Sequence, residues 1–378
     1  MEASTAKRPS QNRFIKFVKT NVVVIIAFFA AIITSFIIPI DAEYIGYFDF
    51  KTLTCLFCVL AVVCALKNIR FFYILAKKIV QLFKNTRMCV LALVYITFIG
   101  SMLIANDMAL LTFLPLGFFV LTTTNQQKHM AFTFIMQNIA ANLGGMLTPF
   151  GNPQNLYIYT KFNIPTGEFM SVMLLPFALS ILLFTVCCFF IPKESLTLES
   201  NDSESFPKGR TVFYLVLFAL TILTVFRLVP YYVCLPIILV AVLISDRKAL
   251  LKVDYPLLLT FTAFFLLAGN VSRIGAVSEF FSFLLEKNTL LTSVFSCQVI
   301  SNVPSAILLS EFTENWRELL VGVNIGGVGT LISSLASLIT FREYTSHVKG
   351  KTLKYIGLFS ALNFGFLIIL TTVMLLVM

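Results

Sequence analysis

Runs of apolar residues, separated by short polar segments, follow one another along most of the chain. Crossing the hydrocarbon core of a bilayer takes about 20 such residues in a helix. Hydrophobic residues make up 58% of the 378 positions and charged residues 12%, whereas a soluble domain carries about 25% charged residues. The uninterrupted runs lie near residues 21–40, 52–66, 168–191, 211–229, 233–245, 255–269 and 355–378. The sequence therefore predicts an all-α polytopic membrane protein.

Four further apolar runs are interrupted by polar residues, glycine or proline. The runs 128–162 and 314–341 are long and contain Gly, Pro and Asn, which is typical of a broken transmembrane helix. The runs 88–124 and 289–312 each have a polar cluster at the centre, so we interpret them as re-entrant hairpins. The predicted layout is about nine transmembrane helices, two hairpins and two broken helices.

The placement of basic residues orients this layout. With the N-terminus in the cytoplasm, the predicted cytoplasmic segments hold 22 of the 28 Lys and Arg residues, as the positive-inside rule requires. The net charge of +10 is thus a topology signal, and we predict no nucleic-acid partner. The predicted units are a basic cytoplasmic N-terminus (1–20), a first repeat (21–191), a cytoplasmic linker (192–210), a connecting helix (211–229) and a second repeat (230–378). We predict a multi-pass protein of the cell (plasma) membrane with the lipid bilayer as its solvent.

The interrupted segments of the two halves contain matching short motifs. The first half contains Ala105-Asn106-Asp107, then Asn142-Leu143-Gly144-Gly145, then a polar stretch from Thr148 to Asn155 that includes Asn152. The second half contains Ser301-Asn302-Val303, then Asn324-Ile325-Gly326-Gly327, then Thr330, Ser334 and Ser337. The first hairpin follows a cytoplasmic segment and the second follows an outer segment. The two halves are therefore predicted to form an inverted repeat.

Paired breaks of this kind indicate a transporter binding site near the midplane of the bilayer. Irregular backbone survives in hydrocarbon only where it is buried in protein or lines a cavity. Half-helix ends then offer positive dipole ends to an anion and free carbonyls to a cation. The candidate substrate-binding residues are Asn106, Asn142, Gly144, Gly145, Thr148, Asn152, Asn155, Ser301, Asn302, Asn324, Gly326, Gly327, Thr330, Ser334 and Ser337. Their amides and hydroxyls could instead satisfy freed backbone groups, and the glycines permit close backbone approach.

Asp107 is the one carboxylate that this layout places within the membrane, where a charge is costly and usually functional. We predict that it couples transport to protons or sodium, with a helix N-cap as the alternative. Arg273 could attract an anion at the outer boundary or extend to the interface. The eight cysteines form no metal or disulfide pattern, and no phosphate-cradling loop occurs. We therefore predict no cofactor, no metal site and no ATP-driven transport by this chain alone.

At these motifs the sequence resembles the ion transporter superfamily of arsenite permeases, citrate–metal carriers, sodium/proton antiporters and dicarboxylate transporters. Ile104-Ala105-Asn106-Asp107 and the stretch from Asn324 to Leu338 are similar to the arsenite permease branch, whereas Asn142 to Asn155 is closer to the citrate-type pattern. The dicarboxylate branch would show Ser-Asn-Thr at both tips, whereas the tips of this chain read Ala105-Asn106-Asp107 and Ser301-Asn302-Val303. The resemblance implies a secondary transporter with a scaffold domain and a mobile transport domain. A homodimer is a possible assembly.

The sequence thus predicts a secondary active transporter of a small anion or oxyanion, arsenite-like or carboxylate, with an elevator-type mechanism. A sodium/proton antiporter or a channel for small anions is the alternative. An enzyme is not predicted, since no soluble domain is long enough and no paired carboxylates face each other in the spans.

Overall fold

The computed structural model describes residues 22–196 and 206–378, and every regular element in these ranges is helical. The predicted N-terminal segment 1–20 and much of the predicted linker 192–210 lie outside the described residues. In the first half the α-helices are α1 (Val22–Ile37), α2 (Glu43–Gly46), α3 (Phe50–Asn68), α4 (Phe71–Val80), α5 (Thr86–Ile104), α6 (Asn106–Thr123), α7 (Met130–Gly144), α8 (Pro153–Lys161) and α9 (Thr166–Phe189).

The second half continues with ten further α-helices. They are α10 (Lys208–Val225), α11 (Tyr231–Ser245), α12 (Arg247–Leu251), α13 (Tyr255–Ser272), α14 (Gly275–Lys287), α15 (Thr289–Ile300), α16 (Asn302–Leu309), α17 (Trp316–Ile325), α18 (Leu335–His347) and α19 (Thr352–Val377). Two 3₁₀ turns, Gln127–His129 and Gly145–Leu147, flank α7.

Seven of the described helices are long and apolar enough to cross a bilayer, namely α3, α5, α6, α9, α10, α13 and α19. The chain is therefore a multi-pass membrane protein. At 1.5 Å per residue, the 19-residue α5 and the 18-residue α6 are each about 27 Å long, so each arm of the predicted first hairpin has the length of a full span. The arms of the second hairpin, with 12 and 8 residues, are about 18 and 12 Å long. Re-entry of both hairpins stays a prediction.

The helices pack as two groups. In the first, which we call the α3 group, α3 packs against α10, α11 and α12, and α13 packs against α1 and α3. In the second, the hairpin group, α5 and α6 pack with α7, α15 and α16 pack with α17, and α9 packs with α19. The groups meet where α3 contacts α8, where α13 contacts α16, and where α4 contacts α5 and α6.

Within the hairpin group the two halves of the sequence exchange contacts reciprocally. Helix α8, which follows the break in the first half, packs against α16 of the second hairpin. Helix α18, which follows the break in the second half, packs against α6 of the first hairpin. A two-fold relation between equivalent units produces such pairs of contacts, in which each unit presents the same element to its partner.

Ion pairs hold the halves together at the helix ends. Lys161, the last residue of α8, pairs with Glu311 after α16, and Arg317 of α17 pairs with Glu168 of α9. Each pair joins one residue of the first half to one residue of the second. Since all four side chains are partly exposed, the pairs fix register more than they add stability.

Arg273, which follows α13, does not face the amide-rich centre of the protein. Its guanidinium donates to both carboxylate oxygens of Asp41, at 3.1 and 2.6 Å, and to Tyr47 Oη at 2.9 Å. The hydrogen bond with Asp41 raises the pKa of Arg273, and the same bond lowers the pKa of Asp41. Arg273 therefore ties α13 to the loop between α1 and α2.

The segment after α9 is fixed against the base of the first hairpin. Glu194 accepts hydrogen bonds from Gln126 Nε2 at 2.9 Å and Lys128 Nζ at 2.5 Å, and the bond from Lys128 lowers the pKa of Glu194. Its carbonyl accepts from the N–H of Thr86 at 2.9 Å. This segment therefore bridges the start of α5 and the turn between α6 and α7.

Tight packing of α7 on α5 predicts a cost for any side chain at Gly144. A Cβ at this position would overlap the carbonyl oxygen of Phe98 and Oγ of Ser101. Since a backbone atom cannot give way cheaply, Gly144→Ala should reduce the free energy of unfolding by about 1–3 kcal/mol. Thermal unfolding in detergent measures this, with Gly365→Ala in α19 as the control, because nothing lies within 4 Å of a Cβ there. Equal unfolding temperatures for the two variants would contradict the packing described.

Candidate functional site

The two hairpin tips share one unusual backbone conformation. Ala105, between α5 and α6, has φ 62° and ψ 154°, and Ser301, between α15 and α16, has φ 77° and ψ 160°. A non-glycine residue at positive φ costs on the order of 1–3 kcal/mol and clusters at functional sites. The motif-based pairing of the two tips therefore has a backbone counterpart.

Each tip is connected to its broken helix by the same hydrogen bond. Thr148 Oγ1 donates to the carbonyl of Met102 at 3.4 Å, and Thr330 Oγ1 donates to the carbonyl of Gln298 at 3.1 Å. Met102 and Gln298 each lie three residues before the tip residue of their hairpin. The two threonines therefore occupy equivalent positions in the two halves.

The glycines of the two motifs also lie in equivalent places. Gly144 abuts Ser101, four residues before the first tip, and a Cβ at Gly326 would lie 2.8 Å from Cβ of Cys297, four residues before the second tip. Both glycines therefore let the broken helix approach the first arm of its hairpin.

Asn142 and Asn324, the asparagines that precede these glycines, end their helices in the same way. The side-chain amide of Asn142 donates to the carbonyl of Asn138 at 3.1 Å, and that of Asn324 donates to the carbonyl of Leu320 at 2.8 Å. Both acceptors lie four residues earlier, one helical turn back.

Amide side chains from both halves form one hydrogen-bonded network. Asn106 Nδ2 donates to Asn142 Oδ1 at 3.3 Å, which connects the first tip to the first break. Asn152 Nδ2 donates both to the Asn142 carbonyl and to Asn324 Oδ1, each at 3.3 Å. Asn324 Nδ2 donates to Asn155 Oδ1 at 2.6 Å. These five residues, which we call the amide network, are at most 4% exposed and bridge the two halves.

The tip of the second hairpin also lies next to the amide network. A Cβ at Gly327 would lie 3.0 Å from Asn302 Nδ2 and 3.6 Å from Asn142 Oδ1, so these groups surround Gly327. The N–H of Asn302 donates to the carbonyl of Ser333 at 3.0 Å, and Asn302 Oδ1 accepts from the N–H of Val303 at 2.9 Å. In the first half, a Cβ at Gly145 would overlap Asn152 Oδ1.

The hydroxyls of Ser334 and Ser337 lie at the start of α18. Their oxygens are 3.1 Å apart, and Ser334 caps the helix by accepting from the N–H of Ser337 at 3.3 Å. Asn138 Nδ2 donates to Ser337 Oγ at 3.2 Å. Both serines are fully buried, and Asn138 connects them to Asn142 one turn along α7.

Different residues satisfy the backbone at the two breaks. Asn155 Nδ2 donates to the carbonyls of Gly145, Met146 and Thr148 at 3.0, 3.2 and 3.2 Å. In the second half, Gln298 Nε2 donates to the carbonyls of Gly326 and Val328, at 2.9 and 3.2 Å, and its Oε1 accepts from the N–H of Thr330 at 2.9 Å. These break carbonyls are thus occupied by amide donors.

Asp107 lies in the first turn of α6, next to Asn106. Its Oδ1 atom is buried and has no hydrogen-bond partner among the described residues. The N-cap position of α6 belongs to Ala105, which makes no side-chain cap. The capping role considered for Asp107 from the sequence is therefore not what the structure has.

Four helices, α6, α8, α16 and α18, begin at this centre. The N-cap residues of the first three, Ala105, Asn152 and Ser301, make no side-chain capping bond. Helix N-termini direct N–H groups and the positive end of the dipole toward an anion. Among the described residues, no Lys, Arg or His donates a hydrogen bond to the amide network.

Three polar residues of this centre, Asn138, Gln154 and Gln298, are not among the predicted site residues. Asn138 lies four residues before Asn142, so helical spacing was an available signal. Gln154 Nε2 donates to Asn324 Oδ1 at 3.4 Å, and its Oε1 is buried without a partner in the described part of the chain. Gln298 has Met102 as its counterpart in the first half, so comparison of the halves could not have found it.

Removal of the Asn155 amide should destabilise the first break. Asn155→Ala leaves three carbonyls without their side-chain donor, and unsatisfied buried groups cost about 1–3 kcal/mol. We expect a lower thermal unfolding temperature in detergent than for Gln127→Ala, whose exposed amide makes one long hydrogen bond of 3.4 Å. If both variants unfold at the wild-type temperature, Asn155 does not hold the break.

Comparison with known proteins indicates a membrane transporter. The family model described as citrate transporter matches residues 12–315. An uncharacterized transporter of Methanocaldococcus jannaschii is 34% identical over 302 residues, which cover 80% of this chain and 83% of the relative. The inner membrane protein YbiR of Escherichia coli is 30% identical over 279 residues, or 72% of this chain and 74% of the relative. The chain belongs to the citrate transporter family.

Proposed function

We propose that this chain is a secondary active transporter of a small anion or oxyanion, which binds at the amide network. The observation that carries this proposal is the meeting of the uncapped N-termini of α6 and α8 with neutral amide donors where the two halves touch. N–H groups fixed in this way favour an anion without the desolvation cost of a buried cationic side chain.

The neutral character of the centre restricts the solute. Since no cationic side chain of the described residues donates to the network, the site suits a small solute that is uncharged or whose charge is compensated by a bound ion. A citrate-type carboxylate that travels with a cation fits this condition, and the family description makes it the first candidate. An arsenite-like neutral trihydroxide fits the same donors and is the second.

The mechanism that we propose is of the elevator type. The reciprocal packing of α8 on α16 and of α18 on α6 supports a pseudo-two-fold relation, and opposite entry of the two hairpins would make the repeat inverted. The hairpin group would then carry the solute as one body past the α3 group. The limited contact between the groups, through α3, α4 and α13, supports this division.

Asp107 is the proposed coupling residue. Its carboxylate lies one residue from Asn106, and its buried oxygen, which has no partner in the described part of the chain, can accept a proton or ligate sodium. The orientation that we propose has the N-terminus in the cytoplasm of a cell-membrane protein, as basic residue placement favours. A homodimer is a further expectation of the resemblance.

Proton movement in proteoliposomes tests the proposed function. The purified protein would be reconstituted with an internal pH dye, and citrate with magnesium, arsenite, antimonite, succinate, phosphate and sodium would be added in turn. Saturable flux with one anion supports the carrier. Currents far above carrier turnover would favour a channel, and flux with sodium alone would favour a sodium/proton antiporter.

Substitution of Asp107 should uncouple the transporter. In Asp107→Asn, solute-dependent proton or sodium flux should fall at least ten-fold, because the amide can neither release a proton nor supply a charge. Glu279→Gln in α14 is the control, since it removes one carboxylate from an exposed position outside the centre. Full ion-coupled transport by Asp107→Asn would remove Asp107 from the mechanism.

A further inference from the structure

Two cavities lie at opposite ends of α3, between the α3 group and the hairpin group. The first, of about 170 Å³, lies beside Lys67 near the C-terminal end of α3. The second, of about 340 Å³, lies beside Asp49, the residue that caps the N-terminal end. Eighteen residues of helix place the two about 27 Å apart, close to the thickness of the hydrocarbon core.

The first cavity has a positive lining. Among the described residues, Lys67 and Arg70 are the charged ones that line it. The Lys67 side chain is partly buried, and no described carboxylate lies within ion-pair distance of its ammonium group. A partly buried ammonium group without a carboxylate partner favours a bound anion.

The second cavity differs in charge. Asp49 and Glu311 line it together with Lys161, which is already paired with Glu311. The carboxylate of Asp49 therefore leaves this end with a negative balance. Of these two cavities, only the first is lined by an ammonium group, that of Lys67, with which no described carboxylate pairs.

The backbone at the first cavity adds further donors. Phe72 and Tyr73, in the first turn of α4, line the cavity, and the N-cap residue Arg70 makes no side-chain capping bond. N–H groups in the first turn of a helix have no intrahelical partner. The helix is ten residues long, so its dipole adds to the positive field of Lys67.

The opposite wall of this cavity leads to the hairpin tip. Leu111, Thr112 and Pro115 of α6 form that wall. Leu111 lies four residues after Asp107, so the two share one face of α6. An anion at Lys67 would therefore lie about one helical turn from Asp107, on the side that the basic residues mark as cytoplasmic.

We propose that the cavity at Lys67 is an anion-binding subsite, where a carboxylate or oxyanion binds at the cytoplasmic face before it moves to the amide network. The movement to the network rests on the proposed function, whereas anion binding at Lys67 stands on the cavity itself. Lys67 supplies the ion pair and the first turn of α4 supplies N–H donors. The second cavity, with its negative balance, has no such role.

Binding of citrate and of inorganic phosphate to the purified protein, measured by isothermal titration calorimetry, tests this subsite. All variants in this titration also carry Asn302→Ala, because this substitution alters the second tip and leaves the cavity intact. In this background, Lys67→Gln should weaken binding about ten-fold or more, as expected for loss of a charged hydrogen bond. Lys67→Arg should retain most of the affinity.

Lys78→Gln is the matched control, because it removes one positive charge from an exposed position of α4 outside the cavity. Equal affinity of Lys67→Gln and Lys78→Gln for both anions would overturn the subsite. A further arm adds phosphatidylglycerol to delipidated protein. If only this lipid binds in a Lys67-dependent way, and citrate and phosphate do not, the cavity holds a lipid headgroup and the subsite is wrong.

Transport assays separate this subsite from the proposed function. In sided proteoliposomes, Lys67→Gln should raise KM at the face that bears Lys67, with kcat unchanged, while KM at the other face stays at the wild-type value. A wild-type protein that binds anions through Lys67 but transports none would leave the anion site standing and refute the proposed function. A fall in kcat with unchanged KM in folded Lys67→Gln would refute the subsite.

Discussion

The rest of the structure depends on one constraint, the need to satisfy backbone groups where helices break inside an apolar protein. Two hairpin tips and two breaks free N–H and C=O groups, and each unpaired group costs several kcal/mol in hydrocarbon. Amide side chains meet this need. Asn155 holds three carbonyls of the first break, and Gln298 holds two carbonyls and one N–H of the second. The donors that remain, on the Asn302 side-chain amide and at the uncapped starts of α6 and α8, are then available to a solute.

Reciprocal packing explains why this polar centre belongs to both halves. Since α8 packs on the second hairpin and α18 on the first, neither half can form the centre alone. The hydrogen bond from Asn152 to Asn324 and that from Asn324 to Asn155 cross between the halves. A solute at this point would contact the two halves together, which fits transport by the hairpin group as one body. The cavities at the two ends of α3 mark where that body meets the α3 group.

Sequence patterns predicted the breaks and the tips because Gly, Pro and Asn interrupt long apolar runs at a few positions. The pairing of Thr148 with Thr330 followed from equal spacing after Asn142 and Asn324, and both make the same hydrogen bond. The role of Gln298 could not be predicted, because its counterpart is Met102 and side-chain contacts across a hairpin leave no periodic signal. Spacing also could not show that Asp41 engages Arg273, since 232 residues separate them. The sequence does not determine how deeply the first hairpin enters the membrane, because α5 and α6 are each long enough either to cross the bilayer or to turn back within it.

The most direct test of the central claim is a cryo-electron microscopy map of the protein in nanodiscs, saturated with the anion that drives flux. We expect solute density within hydrogen-bond distance of Asn302, Asn142 or the N-terminus of α6, enclosed by the two hairpin tips. Density for the solute only outside the amide network, with the tips and breaks unchanged, would contradict it.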